Sequence, residues 1–211
     1  SRYFRKHLVQ AYGKAEGEAI TREALGRFEA QLPDLPDIGG AENVNTRYLH
    51  GSAAHMAIYR SLRARGASVE DAARLIYLGA SSFHKSFPMR WLMRWQGRRM
   101  FSRKRIDQRR RGAAISQRRR YPDDFVYEFV EGDGQDFEFG ENITECGVVK
   151  YFEREGAPEL AACECWLDYP MVAAMGVRLD RTETIAQGGQ RCDFRFSRRE
   201  PVEVEPEFLH V

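Results

Sequence analysis

The spacing of apolar residues changes once along this chain, and that change constrains the fold more than any other feature. Between Asn45 and Arg65 apolar side chains recur every three to four residues, which is the period of an amphipathic helix. From Phe125 onward apolar and polar residues alternate, which is the period of a strand. The sequence therefore predicts an α+β protein, a helical N-terminal half followed by an antiparallel sheet with helices on one face.

The helical half divides at its glycines and prolines. Residues 2–31 are predicted to be helical, with Gly13 and Gly17 dividing or weakening the helix. After a connector rich in proline and glycine, the predicted helices are 45–65, a second one capped by Ser68, and a third from Met89 to about Ile106.

Two β-hairpins with two intervening helices are predicted in the second half, because glycine pairs separate the alternating segments. The predicted strands are 125–130, 137–139, 177–186 and 191–196, and the predicted helices are 145–154 and 158–174.

A chain of 211 residues can bury a sizeable core. We predict five segments: an N-terminal helical extension (1–44), the helical part of the core domain (45–108), an Arg-rich linker (109–121), an α+β part carrying the Cys and Asp motifs (122–200) and an acidic tail (201–211). For residues 109–120 a polar continuation of the preceding helix is the alternative to a linker.

Positive charge is concentrated between Arg90 and Arg120, where 13 basic residues accompany one acid, Asp107. Such a run is usually a solvated face, and this interpretation is favoured over contact with nucleic-acid phosphates. Trp91 and Trp95 lie four residues apart, and this spacing predicts that they form the packed face of a helix.

Composition limits the partners and the cellular compartment that we expect for the protein. No segment approaches the roughly 20 apolar residues that span a bilayer, so no membrane partner is expected. The first residues lack the apolar core of a signal peptide, and four cysteines are too few for a disulfide scaffold. Reduced thiols in the cytoplasm are therefore predicted, and a homo-oligomer is an open alternative to a monomer.

All four cysteines lie between Glu145 and Phe196. Cys165 and Asp168 are three residues apart and would share a helix face. A carboxylate raises the pKa of a neighbouring thiol, so this pair suits cation binding or base catalysis by Asp168 better than thiolate formation. The structural alternative is that Cys165 is a small buried apolar residue and Asp168 an exposed acid.

The other cysteines have different predicted settings. Cys146 is predicted at a helix start, where the dipole would lower its pKa. Cys192 and Asp193 would face opposite sides of a strand, unless a bulge re-aims one of them. Cys163 is interpreted as structural, and no His motif typical of a metal site or catalytic triad is present.

Five motifs in this region occur in an order that resembles the L-2-amino-thiazoline-4-carboxylic acid hydrolase family. They are Thr144-Glu145-Cys146, residues 156–160, Cys165-Trp166-Leu167-Asp168, residues 181–188 and residues 192–196. A looser similarity extends the resemblance to residues 45–197, but it does not account for the first 44 residues or for the Arg-rich segment.

The resemblance implies hydrolytic opening of a thiazoline-like ring at the carbon between nitrogen and sulfur, giving N-carbamoyl-L-cysteine in the namesake reaction. It implies Asp168 or Asp193 as the base, and Arg181 or Arg195 as the cation that holds the substrate carboxylate, with Thr184 as a further substrate-binding residue. Cys146, Cys165 and Cys192 would act as nucleophile or acid, or as ligands of a soft metal such as zinc. The alternative is a non-catalytic small-molecule or zinc-binding module of vinyl-reductase-like type.

Overall fold

The computed structural model describes residues 1–202 and 204–209 and has the predicted α+β architecture. Its α-helices are α1 (Arg2–Gln31), α2 (Thr46–Arg63), α3 (Val69–Lys85), α4 (Met89–Met100), α5 (Arg103–Ser116), α6 (Gly147–Arg154), α7 (Glu159–Cys165) and α8 (Asp168–Met175). Its strands are β1 (Val126–Glu131), β2 (Phe139–Glu145), β3 (Arg178–Asp180) and β4 (Cys192–Ser197).

The first three helices pack together around one apolar core. Helix α1 is interrupted at Gly13, whose φ of 79° and ψ of 166° only glycine adopts readily. On either side of that break, Leu8 and Ile20 are buried in the core that α2 and α3 share with α6 and α7. Helix α3 begins as predicted, because the hydroxyl of Ser68 accepts a hydrogen bond from the Asp71 N–H (3.0 Å).

The predicted single helix from Met89 to Ile106 is wrong, because two helices occupy this segment. Helix α4 ends at Met100, and Ser102 then adopts an extended conformation as the N-cap of α5. Its carbonyl accepts the first hydrogen bonds of α5, and serine is a preferred residue at this position.

Helix α5 carries the Arg-rich segment, so the helical alternative holds up to Ser116. The helix packs against β1, and two of its arginines reach the sheet. Arg109 pairs with Glu141 (2.7 Å) and Arg110 with Glu131 (2.7 Å).

The prediction that Trp91 and Trp95 form the packed face of α4 is wrong, because both side chains point outward. Met93, Gly97 and Met100 are the buried residues of this helix. A Cβ at Gly97 would overlap the carbonyl oxygen of Met175, so the glycine allows α4 and α8 to touch along their backbones. Residue spacing identifies a helix face but not which face a neighbour covers.

The four strands form one antiparallel sheet in the order β1-β2-β4-β3. The first predicted hairpin exists, and β3 and β4 also pair as neighbours, but the predicted tight turn at 187–190 is wrong because residues 181–191 connect these two strands. The pairing of β2 with β4 joins the two pairs of strands. Strand β2 extends through Glu145, well beyond the predicted 137–139, because it has a partner on each side. The predicted strand 177–186 is shortened to β3, and residues 185–187 form a 3-10 helix.

The predicted helix 158–174 is divided into α7 and α8. Pro170 has no N–H to donate to the carbonyl of Trp166, four residues earlier, so the helical ladder is broken at this point. Trp166 and Leu167 keep right-handed helical backbone angles, so α8 starts close to the end of α7.

The acidic tail is only partly described, since residues 203, 210 and 211 lie outside the described part of the chain. Phe208 and Leu209 pack on the main core, with the Phe208 ring 6.1 Å from that of Tyr77. No helix in the described part of the chain is long and apolar enough to cross a bilayer.

Candidate active site

An ion pair between Asp168 and Arg181 forms the centre of the candidate site. Asp168 is the first residue of α8, and Arg181 follows β3. One guanidinium nitrogen of Arg181 lies 2.7 Å from Asp168 Oδ2, and the other donates to the carbonyl of Cys165 (2.9 Å). The guanidinium therefore ties the start of α8 to the end of α7.

Arg181 is held firmly in this position. Only 5% of its side chain is exposed. Its guanidinium carbon lies 5.1 Å from the ring centre of Tyr169 and 5.0 Å from that of Phe194, a cation–π arrangement on both rings. A cation fixed in this way imposes one orientation on the carboxylate it binds.

Burial raises the pKa of the Asp168 carboxyl above its ordinary value, even though Arg181 favours the charged form. The nearby charge of Glu164 raises it further. The side chain nevertheless keeps 28% of its surface exposed, and no hydrogen bond to Oδ1 is found among the described residues. Asp168 therefore combines a raised basicity with an oxygen that can reach a water molecule.

Three of the four thiols gather around this pair. Burial raises the pKa of Cys165 and of Cys192, and the charge of Asp168 raises both further, while Arg181 opposes the shift. The predicted effect of Asp168 on Cys165 is thus confirmed. Cys192 is buried, and its sulfur accepts the Ile185 N–H (3.3 Å).

Cys146 is found at the predicted helix start, as the N-cap of α6, but the expected fall of its pKa does not occur. Burial raises the pKa to about 12, and nearby Cys192 and Asp168 add to the shift. The backbone N–H groups of Val149 and Val148 favour the thiolate, yet they are outweighed. Desolvation raises the pKa of Cys146 more than the helix N-terminus lowers it, because α6 is short and its first turn is covered.

The predicted zinc ligands do not fit a metal. Cys146, Cys165 and Cys192 influence one another's pKa, but no group of three or more His, Cys, Asp or Glu side chains in the described part of the chain is placed to hold an ion.

Asp193, the second predicted base, is engaged in holding a loop. Its Oδ1 accepts the N–H groups of Thr182 and Glu183 (both 2.8 Å), and its Oδ2 accepts the Thr182 hydroxyl (2.6 Å). Burial alone would raise the pKa of Asp193, but these hydrogen bonds lower it below its usual value. This geometry suits a residue that positions the segment following Arg181.

The other predicted substrate-binding residues are less close to the pair. Thr184 is buried and its hydroxyl donates to the Gln187 amide oxygen (2.9 Å). Arg195 lies three residues after Cys192 on β4, and because side chains alternate along a strand, the two face opposite sides of the sheet. Its guanidinium donates to the Phe194 carbonyl and lies 5.4 Å from the Phe137 ring centre. Of the predicted cations, Arg181 is the one brought to Asp168.

Sequence reasoning missed a His–Glu pair beside the site. His55 Nδ1 on α2 lies 2.9 Å from both carboxylate oxygens of Glu164 on α7, and Ser52 is 3.4 Å from one of them. Glu164 stands four residues before Asp168, a spacing that could have drawn attention to it. No local signal marks His55, because the contact joins residues 109 positions apart.

A comparison with family models matches residues 47–196 to the family described as L-2-amino-thiazoline-4-carboxylic acid hydrolase. This range includes Asp168, Arg181 and all four cysteines, as well as His55 and Glu164. No curated protein and no solved structure matches the chain. With well over half of its length covered by the family model, the chain belongs to the L-2-amino-thiazoline-4-carboxylic acid hydrolase family.

Proposed function

We propose that this protein is a hydrolase that opens a small heterocyclic ring bearing adjacent C–N and C–S bonds, with 2-aminothiazoline-4-carboxylate as the first substrate to test. Family membership supports the reaction class. The observation that carries the proposal is the partly buried Asp168 carboxylate, oriented by buried Arg181 and keeping an oxygen with no partner among the described residues.

In the proposed reaction, Asp168 Oδ1 accepts a proton from water as the water oxygen bonds to the ring carbon between nitrogen and sulfur. The carbon–sulfur bond then breaks, its electron pair stays on sulfur, and sulfur takes up a proton to become a thiol. The added oxygen loses its remaining proton and becomes the carbonyl of N-carbamoyl-L-cysteine, while the ring nitrogen and the sulfur each gain one proton. One water molecule is therefore consumed. A carboxyl pKa above the ordinary value makes Asp168 a better base for this step.

The thiols are poorly suited to nucleophilic attack. With their pKa values raised, Cys146, Cys165 and Cys192 are protonated at neutral pH. The proton that Asp168 takes from water can pass to the leaving sulfur, because a thiol with a raised pKa is a weaker acid than the thiol being formed. Arg181 fixes the orientation of Asp168, and a substrate carboxylate would share this cation.

The experiment is an Asp168→Asn substitution. We expect kcat/KM to fall by roughly 10²–10⁴-fold, because asparagine cannot take the proton from water. Turnover is followed through the thiol of the product after the protein has been removed by filtration. Asp180→Asn is the matched control, since Asp180 pairs with Arg178 and is 45% exposed, and this variant should keep full activity.

Full activity in Asp168→Asn would refute the assignment of the base. If the native protein binds ring compounds without turnover, the non-catalytic module becomes the better description. In the active protein the acid limb of the kcat/KM profile should lie above the ordinary aspartate pKa, because burial raises the pKa of Asp168.

A further inference from the structure

The outward face of α4 presents large apolar side chains to solvent. Phe87, just before the helix, is 80% exposed and Trp91 is 67% exposed. Leu92 and Trp95 add exposed surface on the following turn. The opposite face of α4 is closed against α8 at Gly97, so this apolar surface has no partner in the described part of the chain.

Four arginines of α4 are exposed, namely Arg90, Arg94, Arg98 and Arg99, and the Arg94 guanidinium lies against Gly176 at the end of α8. The salt bridges of the described residues include none to these four. Helix α5 differs in this respect, because Arg109 and Arg110 are paired with carboxylates of the sheet. The Arg99 guanidinium lies 4.8 Å from the Trp95 ring centre and so remains at the surface. The charges of Arg90, Arg98 and Arg99 are therefore available to an external anion.

The absence of an apolar span led to the expectation of no membrane partner, but it bears only on spanning helices; we propose that this outward face of α4 docks onto the surface of an anionic lipid bilayer. Tryptophan favours the depth of the lipid headgroups, and Phe and Leu favour the acyl boundary just below. Arginine extends its apolar stem along such a surface while its guanidinium contacts lipid phosphates. An interfacial helix needs this combination of residues, and it lies along the membrane without spanning it.

Two other occupants fit the surface less well. A second copy related by two-fold symmetry would bring the same four arginines against each other without any acid between them. Single-stranded nucleic acid usually follows a basic groove with stacking aromatics, whereas these side chains stand on the convex face of one helix and include the aliphatic Leu92. The proposal does not depend on the hydrolase activity.

The test is co-sedimentation of the full chain with vesicles of phosphatidylcholine alone and of phosphatidylcholine mixed with phosphatidylglycerol. We expect binding to the mixed vesicles only, with an affinity that decreases as salt is added. Brominated acyl chains should quench the fluorescence of Trp91 and Trp95, because these rings would enter the interface.

Two matched triple variants separate this surface from general positive charge. Replacing Arg90, Arg98 and Arg99 by glutamine should lower the partition constant by about a hundredfold. The same replacement of Arg103, Lys104 and Arg105, exposed on α5 away from the aromatic residues, removes equal charge and should have a much smaller effect. Trp91→Ala with Trp95→Ala should weaken binding by roughly tenfold, and both side chains are exposed enough for the fold to be retained.

Several results would overturn the proposal. Equal losses of vesicle affinity in the two triple variants would show that binding depends on general positive charge and not on this face of α4. Vesicle binding without quenching would exclude insertion of the helix. Binding to a labelled oligonucleotide but not to vesicles would assign the surface to nucleic acid. A dimer that shields Trp91 from acrylamide would assign the surface to a second copy of the chain.

Discussion

A single buried cation determines the state of the candidate base. Arg181 has almost no contact with solvent, and its charge is balanced by Asp168 at 2.7 Å. Removing one member of such a pair leaves the other charge buried without compensation, which costs more than the pair itself contributes. The same ion pair therefore connects stability with the proposed chemistry.

We expect Arg181→Leu to lower the free energy of unfolding by roughly 3–5 kcal/mol, because Asp168 would remain buried without a counter-ion. Urea denaturation followed by circular dichroism measures the change. Replacing both residues by leucine should recover most of this loss, since an apolar pair carries no uncompensated charge. If the double variant is as unstable as the single one, the packing of Arg181 between Tyr169 and Phe194 is the dominant contribution.

At the level of elements, the junction between α7 and α8 places the acid. Cys165 ends α7 and Asp168 begins α8, with Pro170 preventing one continuous helix. Since α4 packs on α8 through Gly97, the close approach of these two helices also supports the site.

We expect Gly97→Ala to destabilise the protein by about 1–3 kcal/mol, because the added methyl group would overlap the Met175 carbonyl. Gly26→Ala is the control, since a Cβ at this exposed position of α1 meets nothing within 4 Å. This substitution should stabilise the protein by roughly 0.5–1 kcal/mol through higher helix propensity. Equal effects of the two variants in urea denaturation would contradict the close α4–α8 contact.

At the level of the whole molecule, His84 makes stability depend on pH. Burial lowers its pKa to about 4, the charge of His55 opposes protonation further, and its Nδ1 has no hydrogen-bond partner among the described residues. Between pH 6.5 and about 4 the unfolded chain binds a proton that the folded chain does not. Stability is therefore fully present above this window and is lost as the pH falls through it.

We expect the His84 contribution to lower the unfolding free energy by up to about 2 kcal/mol between pH 7.5 and pH 5. Urea denaturation at the two pH values measures this change. His84→Gln should reduce the pH dependence, whereas His50→Gln, at an exposed position of α2, should leave it unchanged. An unchanged pH dependence in His84→Gln would show that this histidine is solvated.

The sequence by itself determined the features that depend on local chemistry. The change of period from helix to strand, the Ser68 cap and the Gly13 break all follow from neighbouring residues. The family was also identifiable, because its motifs lie in order along the chain. In each case the physical cause acts within a few residues.

Only the tertiary structure decided which side chains meet and which are covered. Trp91 and Trp95 have a spacing that equally suits a buried or an exposed face, and the contact at Gly97 with distant Met175 made them exposed. Cys146 lies at a helix start as predicted, yet burial by the rest of the fold raised its pKa. Asp168 and Asp193 could not be told apart as candidate bases until Arg181 and the Thr182 loop were placed around them. Desolvation and pairing depend on elements far apart in the chain, and no local pattern encodes them.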